Sequence, residues 1–419
     1  MHTDMNLQRI AIEKLKPAQY NPRRDLKPGD PAYEKIKSSL HTFGYVDPVI
    51  WNEVTGNIVG GHQRYKVLAA EGVTEIDCVV VHIEDPADEK ALNIALNKAV
   101  GEWEPVALAE LLIDLRACGY DLDATGFDAA EIDELFSKVH DKEVMDDDCD
   151  ISADEITPFV QTGDVWALGR HRMLCGDATK AEDIDMLMGD VRANLILTDP
   201  PYNVAYESKD GKTIQNDNQS DSSFFEFLLA AFKNIAAHLA EGASAYVFHA
   251  DTEGLNFRRA FKEAGFHISG VCIWVKNALV LGRSPYQWQH EPVLYGWLPN
   301  GKHKWFSDRK QSTIWNYDKP KRSDQHPTMK PIPLLCYPIK NSSAPNGVVL
   351  DTFGGSGSTL IACEQTDRIC YMMELDPRYA SVIVLRFLEQ AGTDADIKVL
   401  RDGKEISYAD IASDIPQVS

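Results

Sequence analysis

An α/β architecture in two units is what this sequence predicts, and three observations predict it. From Gly163 to about Val399, apolar strand-like runs alternate with helical patterns. One of those runs, Val348–Asp351, ends in an acid and leads through a glycine-rich turn into a helix. A shorter α/β pattern, from about Leu7 to Asp85, precedes them and is set apart by a helical stretch. Alternation of this kind predicts an open sheet with helices on both faces.

The elements follow in order. A strand-like run at Arg9–Ile12 leads into a turn-rich stretch, Lys16–Pro31, and then a helical pattern at Tyr33–Thr42. Short strands are expected at Pro48–Trp51 and Gly56–Val59, a helix opening at Gly60-Gly61-His62-Gln63-Arg64 and running to Ala70, and a β-branched strand at Ile76–Ile83. The connector, 86–140, has apolar positions at helical spacing in Ala107–Leu115 and Ala129–Phe136, with Asp128 as the N-cap of the latter. Asp141–Glu155 holds eight acidic residues and one Lys, so 141–160 is expected to be a solvated linker. In the large unit, 161–400, strands are expected at Leu195–Thr198, Ser244–Phe248, Val271–Val275, Val348–Asp351 and Ile369–Glu374. Helices are expected at Phe224–Leu239, Thr252–Ala264, Ser358–Glu364 and Arg378–Gln390, and 401–419 is expected to be a tail.

Composition narrows the function classes. The 419 residues suffice for two or three domains, and 44% hydrophobic with 25% charged residues is ordinary for a globular chain. A net charge of -22 argues against non-specific wrapping of nucleic acid and leaves room only for a local basic groove. No apolar run is long enough to cross a bilayer, and Met1–Arg9 lacks the core of a signal peptide, so a cytoplasmic protein with no membrane partner is expected. The eight cysteines form no CxxC pair and sit near no histidine at ligand spacing, so buried reduced thiols and no metal are expected.

Two constellations carry chemistry. In Val348–Thr359 a strand ends at Asp351 and the loop Thr352-Phe353-Gly354-Gly355-Ser356-Gly357 opens a helix. Ligands bind at such carboxyl ends, glycines admit a close approach, and helix-opening amides favour a negative group. The next strand ends in Glu374, placed to accept hydrogen bonds from ribose hydroxyls. The second constellation is Asp199-Pro200-Pro201-Tyr202, directly after an apolar strand. An exocyclic amino nitrogen is a poor nucleophile because its lone pair is delocalised into the ring. A carboxylate and a main-chain carbonyl can accept its two N–H groups and localise that lone pair. The prolines stiffen the turn, and Tyr202 offers a stacking face for a base taken out of its duplex.

With these motifs in view, 163–399 resembles the amino-group DNA methyltransferases. Asp199–Tyr202 matches their Asp/Asn/Ser-Pro-Pro-aromatic motif, and Asp351, Phe353, Gly355 and Gly357 match their donor motif. The resemblance implies a Rossmann-like domain using S-adenosylmethionine, with Ser356 in the same donor loop. It further implies that His326, Thr328 and Lys330, in His326–Pro331, help hold the methionine moiety, and that Asp177, after Gly176, contacts the donor's adenine. His290–Gly296 is also similar to the family. Catalytic motif before donor loop resembles the β group, and Asp rather than Ser at position 199 implies adenine as the target, with the cytosine amino group as the alternative. Trp297–Lys330 holds eight Lys or Arg against three Asp, with aromatics between. Lys302, Lys304, Arg309, Lys310, Lys321 and Arg322 are therefore expected to face double-stranded DNA.

Val59–Tyr65 resembles the phosphate-binding turn of ParB-like and sulfiredoxin-like domains, and Asn21–Arg24 an upstream ParB element. Gly60, Gly61, His62 and Arg64 are the expected phosphate-binding residues, for a nucleotide or DNA phosphates. Leu96 stands near the position of the family's metal-binding acid, the sulfiredoxin-type cysteine is absent, and no downstream helix-turn-helix is legible. A docking module stays open for this unit, as does a homodimer for the chain. Competing readings for the whole are methylation of RNA or a protein amide, and a nucleotide-responsive DNA-binding protein with a vestigial methyltransferase; no nuclease cluster stands out.

Overall fold

The computed structural model describes residues 5–98, 103–117, 120, 122–127, 131–132, 135, 144–146, 151–153, 155–204, 216–280, 285–308, 310–318 and 329–413. It divides into two units, Met1–Val139 and His140–Ser419. The expected helix at Ala129–Phe136, its cap Asp128 and much of the acidic run fall outside the described residues.

The first unit has strands β1 (Leu7–Ala11), β2 (Lys16–Pro17), β3 (Val49–Asn52), β4 (Asn57–Gly60) and β5 (Glu75–Val81), in the order β1-β5-β3-β4-β2. Its helices are α1 (Pro31–Phe43), α2 (His62–Ala70), α3 (Pro86–Asn97) and α4 (Pro105–Ala117). Proline at N1 starts α1 and α3, where its missing N–H costs nothing, and the Asp85 carboxylate accepts from Ala87 N to cap α3. Leu15, Val49, Ile58, Leu68, Ile76 and Cys78 form its core. Glu89 of α3 is buried and accepts hydrogen bonds from Tyr20 Oη at 2.7 Å, Thr55 Oγ1 at 2.6 Å, Asn57 Nδ2 at 2.9 Å and Asn52 Nδ2.

The second unit is built on one sheet. Its strands are β6 (Val165–Leu168), β7 (His171–Cys175), β8 (Ala193–Thr198), β9 (Leu239–Phe248), β10 (His267–Val280), β11 (Trp288–Trp297), β12 (Ile314–Asn316), β13 (Val348–Asp351), β14 (Ile369–Glu374), β15 (Ile397–Arg401) and β16 (Lys404–Ser407). The order is β12-β10-β11-β9-β8-β13-β14-β7-β6-β15-β16, and the five central strands from β9 to β7 are parallel. Helices α5 (Ala181–Met188), α6 (Asp221–Ala236) and α7 (Gly254–Glu263) cover one face through Ile184, Phe224, Phe232, Phe257 and Phe261. Helices α8 (Ile332–Ser342), α9 (Ser358–Gln365), α10 (Pro377–Ala391) and α11 (Tyr408–Ser413) cover the other through Ile339, Ile361, Val384, Phe387 and Ile411. Asp376 caps α10, Pro377 occupies its first turn, and Gly392 closes it at φ 66°.

Three expectations need correction. The helix expected over Phe224–Leu239 ends at Ala236, because Leu239 already pairs with Ala193 at the start of β9. The stretch read as a tail from 401 supplies β16 and α11, whose Tyr408 and Ile411 are buried. The end of the expected linker is not solvated: Phe159 and Val160 are buried, and the Phe159 ring meets Trp166 edge-on at 5.8 Å. Among the described residues no helix is long and apolar enough to cross a membrane.

Candidate active site at the sheet's switch point

Sheet topology picks the site before any side chain is considered. From β8 the chain crosses by α6 to β9 on one side. From β13 it crosses by α9 to β14 on the other. Between β8 and β13 the winding reverses, and such a switch point leaves a crevice outside the carboxyl ends of the two strands. Those ends are Thr198-Asp199 and Asp351. They are tied together: Thr198 Oγ1 donates to Asp351 Oδ1 at 2.8 Å, and both residues are buried.

Around Asp199 lies a charged cluster. Lys330 Nζ donates to Asp199 Oδ2 at 2.6 Å, and Tyr202 Oη donates to Asp199 Oδ1 at 2.6 Å. Tyr202 Oη also lies 3.1 Å from Glu291 Oε2, and Lys330 Nζ lies 3.4 Å from the same oxygen. Lys276 Nζ reaches Glu291 Oε1 at 2.5 Å. Burial works against charge on Glu291, yet Lys330 and Lys276 outweigh it and hold the carboxyl at about 2. Burial would likewise discharge Lys330, but Asp199 and Glu291 raise its pKa instead. Burial, then the neighbouring carboxylates, push the Tyr202 phenol far up, so it stays a donor. The turn after the prolines is fixed from behind: Asp217, itself buried, accepts from Tyr202 N at 2.9 Å and Val204 N at 3.3 Å.

The neighbouring loop forms a second half-site. Phe353 N donates to Asp351 Oδ1 at 3.1 Å, and Gly355 N and Asp376 N donate to the two oxygens of Glu374 at 2.7 and 2.8 Å. Gly355 and Gly357 have φ of 53° and 87°, conformations that favour glycine. At Gly355 an added Cβ would meet nothing within 4 Å, so the backbone is open to approach there, whereas at Gly354 it would strike Met372. Burial raises Asp351 to about 6 and Glu374 to about 7. Ser356 is held from α10, its carbonyl accepting from Arg386 Nη1 at 2.8 Å. Asp177 lies close by, since Gly176 N donates to Glu374 O at 3.0 Å; its carboxylate takes Thr179 Oγ1 at 2.7 Å.

The fold thus brings together Asp199, Pro200, Pro201, Tyr202, Asp351, Phe353, Gly355, Ser356, Gly357, Glu374 and Asp177 at the carboxyl ends of the central strands. Lys330, expected beside the donor's methionine end, is found on Asp199. His326, Thr328, Arg309, Lys321 and Arg322 lie outside the described residues. Lys302 and Lys304, expected to face DNA, lie away from this cluster. Lys304 N donates to Gly242 O at 3.2 Å, near the amino end of β9, while Asp199 lies beyond the carboxyl end of β8. Six residues of strand separate Gly242 from Phe248, roughly 20 Å. Lys310 is exposed in the turn before β12, its amide bonded to Asp308. Glu291, Lys276, Asp217 and Arg386 were not singled out by sequence reasoning. Glu291 lay inside the His290–Gly296 block, and Arg386 shows as a lone charge in the apolar run Val382–Leu388.

In the first unit, Gly61 opens α2 at φ 87°, and a Cβ there would lie 3.2 Å from Val49 Cα. Gly60 ends β4 just before it, and Arg64 pairs with Asp47. The His62 ring is turned inward. It is buried, its Nε2 accepts from Ala18 N at 3.3 Å, and burial, then Arg23, lower it to about 4, so it is neutral.

Comparison with known proteins matches three stretches of the chain to known families. Residues 193–385 match the DNA methylase family, 2–100 the ParB N-terminal domain, and 106–162 the ParB-methyltransferase HTH domain. The last match lies downstream of the ParB N-terminal match, in a stretch where no helix-turn-helix was legible in the sequence. YubD of Escherichia coli (strain K12), named as a methylase, is 31% identical over 202 residues, 44% of this chain and 78% of its own. The chromosome-partitioning protein ParB of Vibrio cholerae is 30% identical over 88 residues, 20% of this chain and 29% of its own. Among solved structures, M1.HpyAVI in complex with SAM aligns with 51% of this chain and 98% of its own, at 24% identity and a TM-score of 0.39.

Proposed function

The chain belongs to the DNA methylases of the N6/N4 type, and on that premise we propose that its second unit transfers a methyl group from S-adenosylmethionine to the exocyclic amino group of adenine in DNA. One observation carries the reading. The Asp199 turn and the Asp351 loop stand side by side at the switch point, joined by the 2.8 Å bond from Thr198 to Asp351. An acceptor for an amino group and a cradle for a nucleoside are thereby held on adjacent strands.

The residues of the second half-site fit S-adenosylmethionine. Glu374 suits a ribose diol, the open backbone at Gly355 admits a close neighbour, and the nearby carboxylates favour a cationic sulfonium. When bound, that group supplies an electrophilic methyl. The chain's own work is orientation. Asp199 and the Pro200 carbonyl accept the two amino hydrogens, so that the nitrogen lone pair points at the methyl. Lys330 and Tyr202 hold the Asp199 carboxylate in one setting, and the Tyr202 ring lies against the extruded base. An Asp at position 199, rather than Ser, supports adenine over cytosine. In the first unit, the amides at Gly60 and Gly61 and the Arg64 guanidinium are proposed to take a phosphate of a nucleotide or of DNA.

The test is transfer of labelled methyl from S-adenosylmethionine to unmethylated DNA, with nucleoside analysis of the product. N6-methyl-2′-deoxyadenosine is expected. N4-methylcytosine would keep the mechanism and change the base, and no label in DNA would overturn the reading. Asp199→Ala should abolish transfer while the donor still binds; turnover in that variant would remove Asp199 from its role.

A further inference from the structure

We infer that the β10–β11 hairpin is the element that opens the DNA duplex beside the target base, with Tyr286 and Trp288 stacking on the bases left behind. This deepens the methylation reading and rests on it. The two strands project from the catalytic end of the sheet. Trp274 and Val275 pair with Glu291 and His290, and at that level Lys276 and Glu291 close the cluster on Asp199. Beyond it the strands continue outward. Trp288 is three residues past Glu291, roughly 10 Å along the strand. The register also breaks here: between the pairs Val275–His290 and Val280–Trp288, β10 advances five residues and β11 only two. Extra residues on one strand bend a hairpin and re-aim its side chains, which is what a projecting arm beside a site requires.

The arm's side chains are those of a binding element rather than a solvated one. Tyr286 is 90% exposed, Leu279 54%, Val280 44% and Trp288 40%. A two-stranded arm with that much apolar surface in water is explained by a partner. Charge selects the partner. The chain carries 64 acidic residues against 42 basic ones, yet no Asp or Glu occurs from 276 to 290. A polyanion repelled by most of this protein can approach here. Duplex DNA is the polyanion that also needs the arm: a base is methylated at its amino group only after leaving the stack, and aromatic faces replace the lost stacking without regard to sequence.

The test uses the full chain with Tyr286→Ala, Trp288→Ala and the double substitution, on unmethylated duplex DNA and on the same DNA as separated strands. The double variant is expected to lose roughly tenfold or more in kcat/KM on duplex and to stay within about twofold on single strands, where nothing has to be opened. Donor binding should be unchanged. Tyr286→Ala alone should show the same bias, and at its exposure the substitution leaves the fold untouched. An unchanged duplex rate, or equal loss on both substrates, overturns the inference. So does a variant that turns a dimer into a monomer in sedimentation at an unchanged duplex rate, which would give the surface to a second copy of the chain. If the wild-type chain methylates neither substrate, the functional reading fails and takes this role with it. An active wild type with an indifferent double variant removes the hairpin alone.

Discussion

At the scale of single residues, the informative groups are the buried charges. Lys330, expected to help hold the donor, sits on Asp199, 2.6 Å from Oδ2. The two placements predict different kinetics. Lys330→Met should lower kcat on the order of a hundredfold, the cost of losing one preorganised donor, with donor affinity within a few-fold. Stopped-flow donor binding beside turnover separates the cases; a collapse in donor affinity at normal kcat would return Lys330 to the methionine end. Glu374 gives a pH signature. Burial raises its carboxyl from 4.5 to about 7, so the folded chain holds the proton more tightly than the unfolded one. Its contribution to stability is therefore greatest at low pH and declines as the pH climbs through about 7. His249 and His303, held at about 4 by burial, act in the opposite sense only below their ordinary value of 6.5. The ligand-free melting midpoint should thus fall in wild type between about pH 6.5 and 8, and fall less in Glu374→Gln. Donor binding should tighten over the same range in wild type and stay flat in that variant.

At the scale of elements, the first unit depends on one helix. Glu89 of α3 gathers hydrogen bonds from four side chains on the facing strands and loops. Glu89→Ala would take an acceptor from four donors, Asn52 buried and the others half-buried, a cost of about 1–3 kcal/mol, read as an earlier denaturant midpoint of this unit. Nothing in the sequence marked Glu89 as buried, since an acid in the first turn of a helix ordinarily faces water. The same limit explains what else was legible. Central strands such as β8, β13 and β14 were readable because they are covered on both faces and therefore run continuously apolar. The strands β6, β7, β15 and β16, from the last parallel strand to the sheet's end, were not, because charged residues such as Arg172, Lys398 and Glu405 interrupt them. The motif residues of the site were readable from local spacing. Glu291 and Lys276 were not, because they join the cluster around Tyr202 and Lys330 only through the pairing of β10 with β11 and β11 with β9.

At the scale of the molecule, the parallel strands give the second unit two unlike ends. The carboxyl end carries Asp199, Asp351, Glu374 and the projecting hairpin; the amino end carries Gly242 and the 302–304 segment packed against it. The basic residues of Trp297–Lys330 are expected to face DNA from their charge and interleaved aromatics, and neither feature reports which end of a sheet a loop returns to. Lys302→Glu with Lys304→Glu should therefore leave methyl transfer within about twofold of wild type at moderate salt, since charges roughly 20 Å away are largely screened. A large loss in a filter-binding or turnover assay would put DNA at the amino end after all.

The pairing of β8 with β13 also has a consequence for how this protein is made. Leu195 and Val349 are hydrogen-bonded neighbours 154 positions apart in the chain. At about 5–20 residues per second, β8 leaves the ribosome roughly 8–30 s before its partner exists. Through that interval an apolar strand has one edge without its native neighbour, a state prone to joining another nascent chain. Activity in a cell-free translation reaction should consequently appear with a lag after full-length product. A chain stopped before 348 should aggregate rather than accumulate as a folded half.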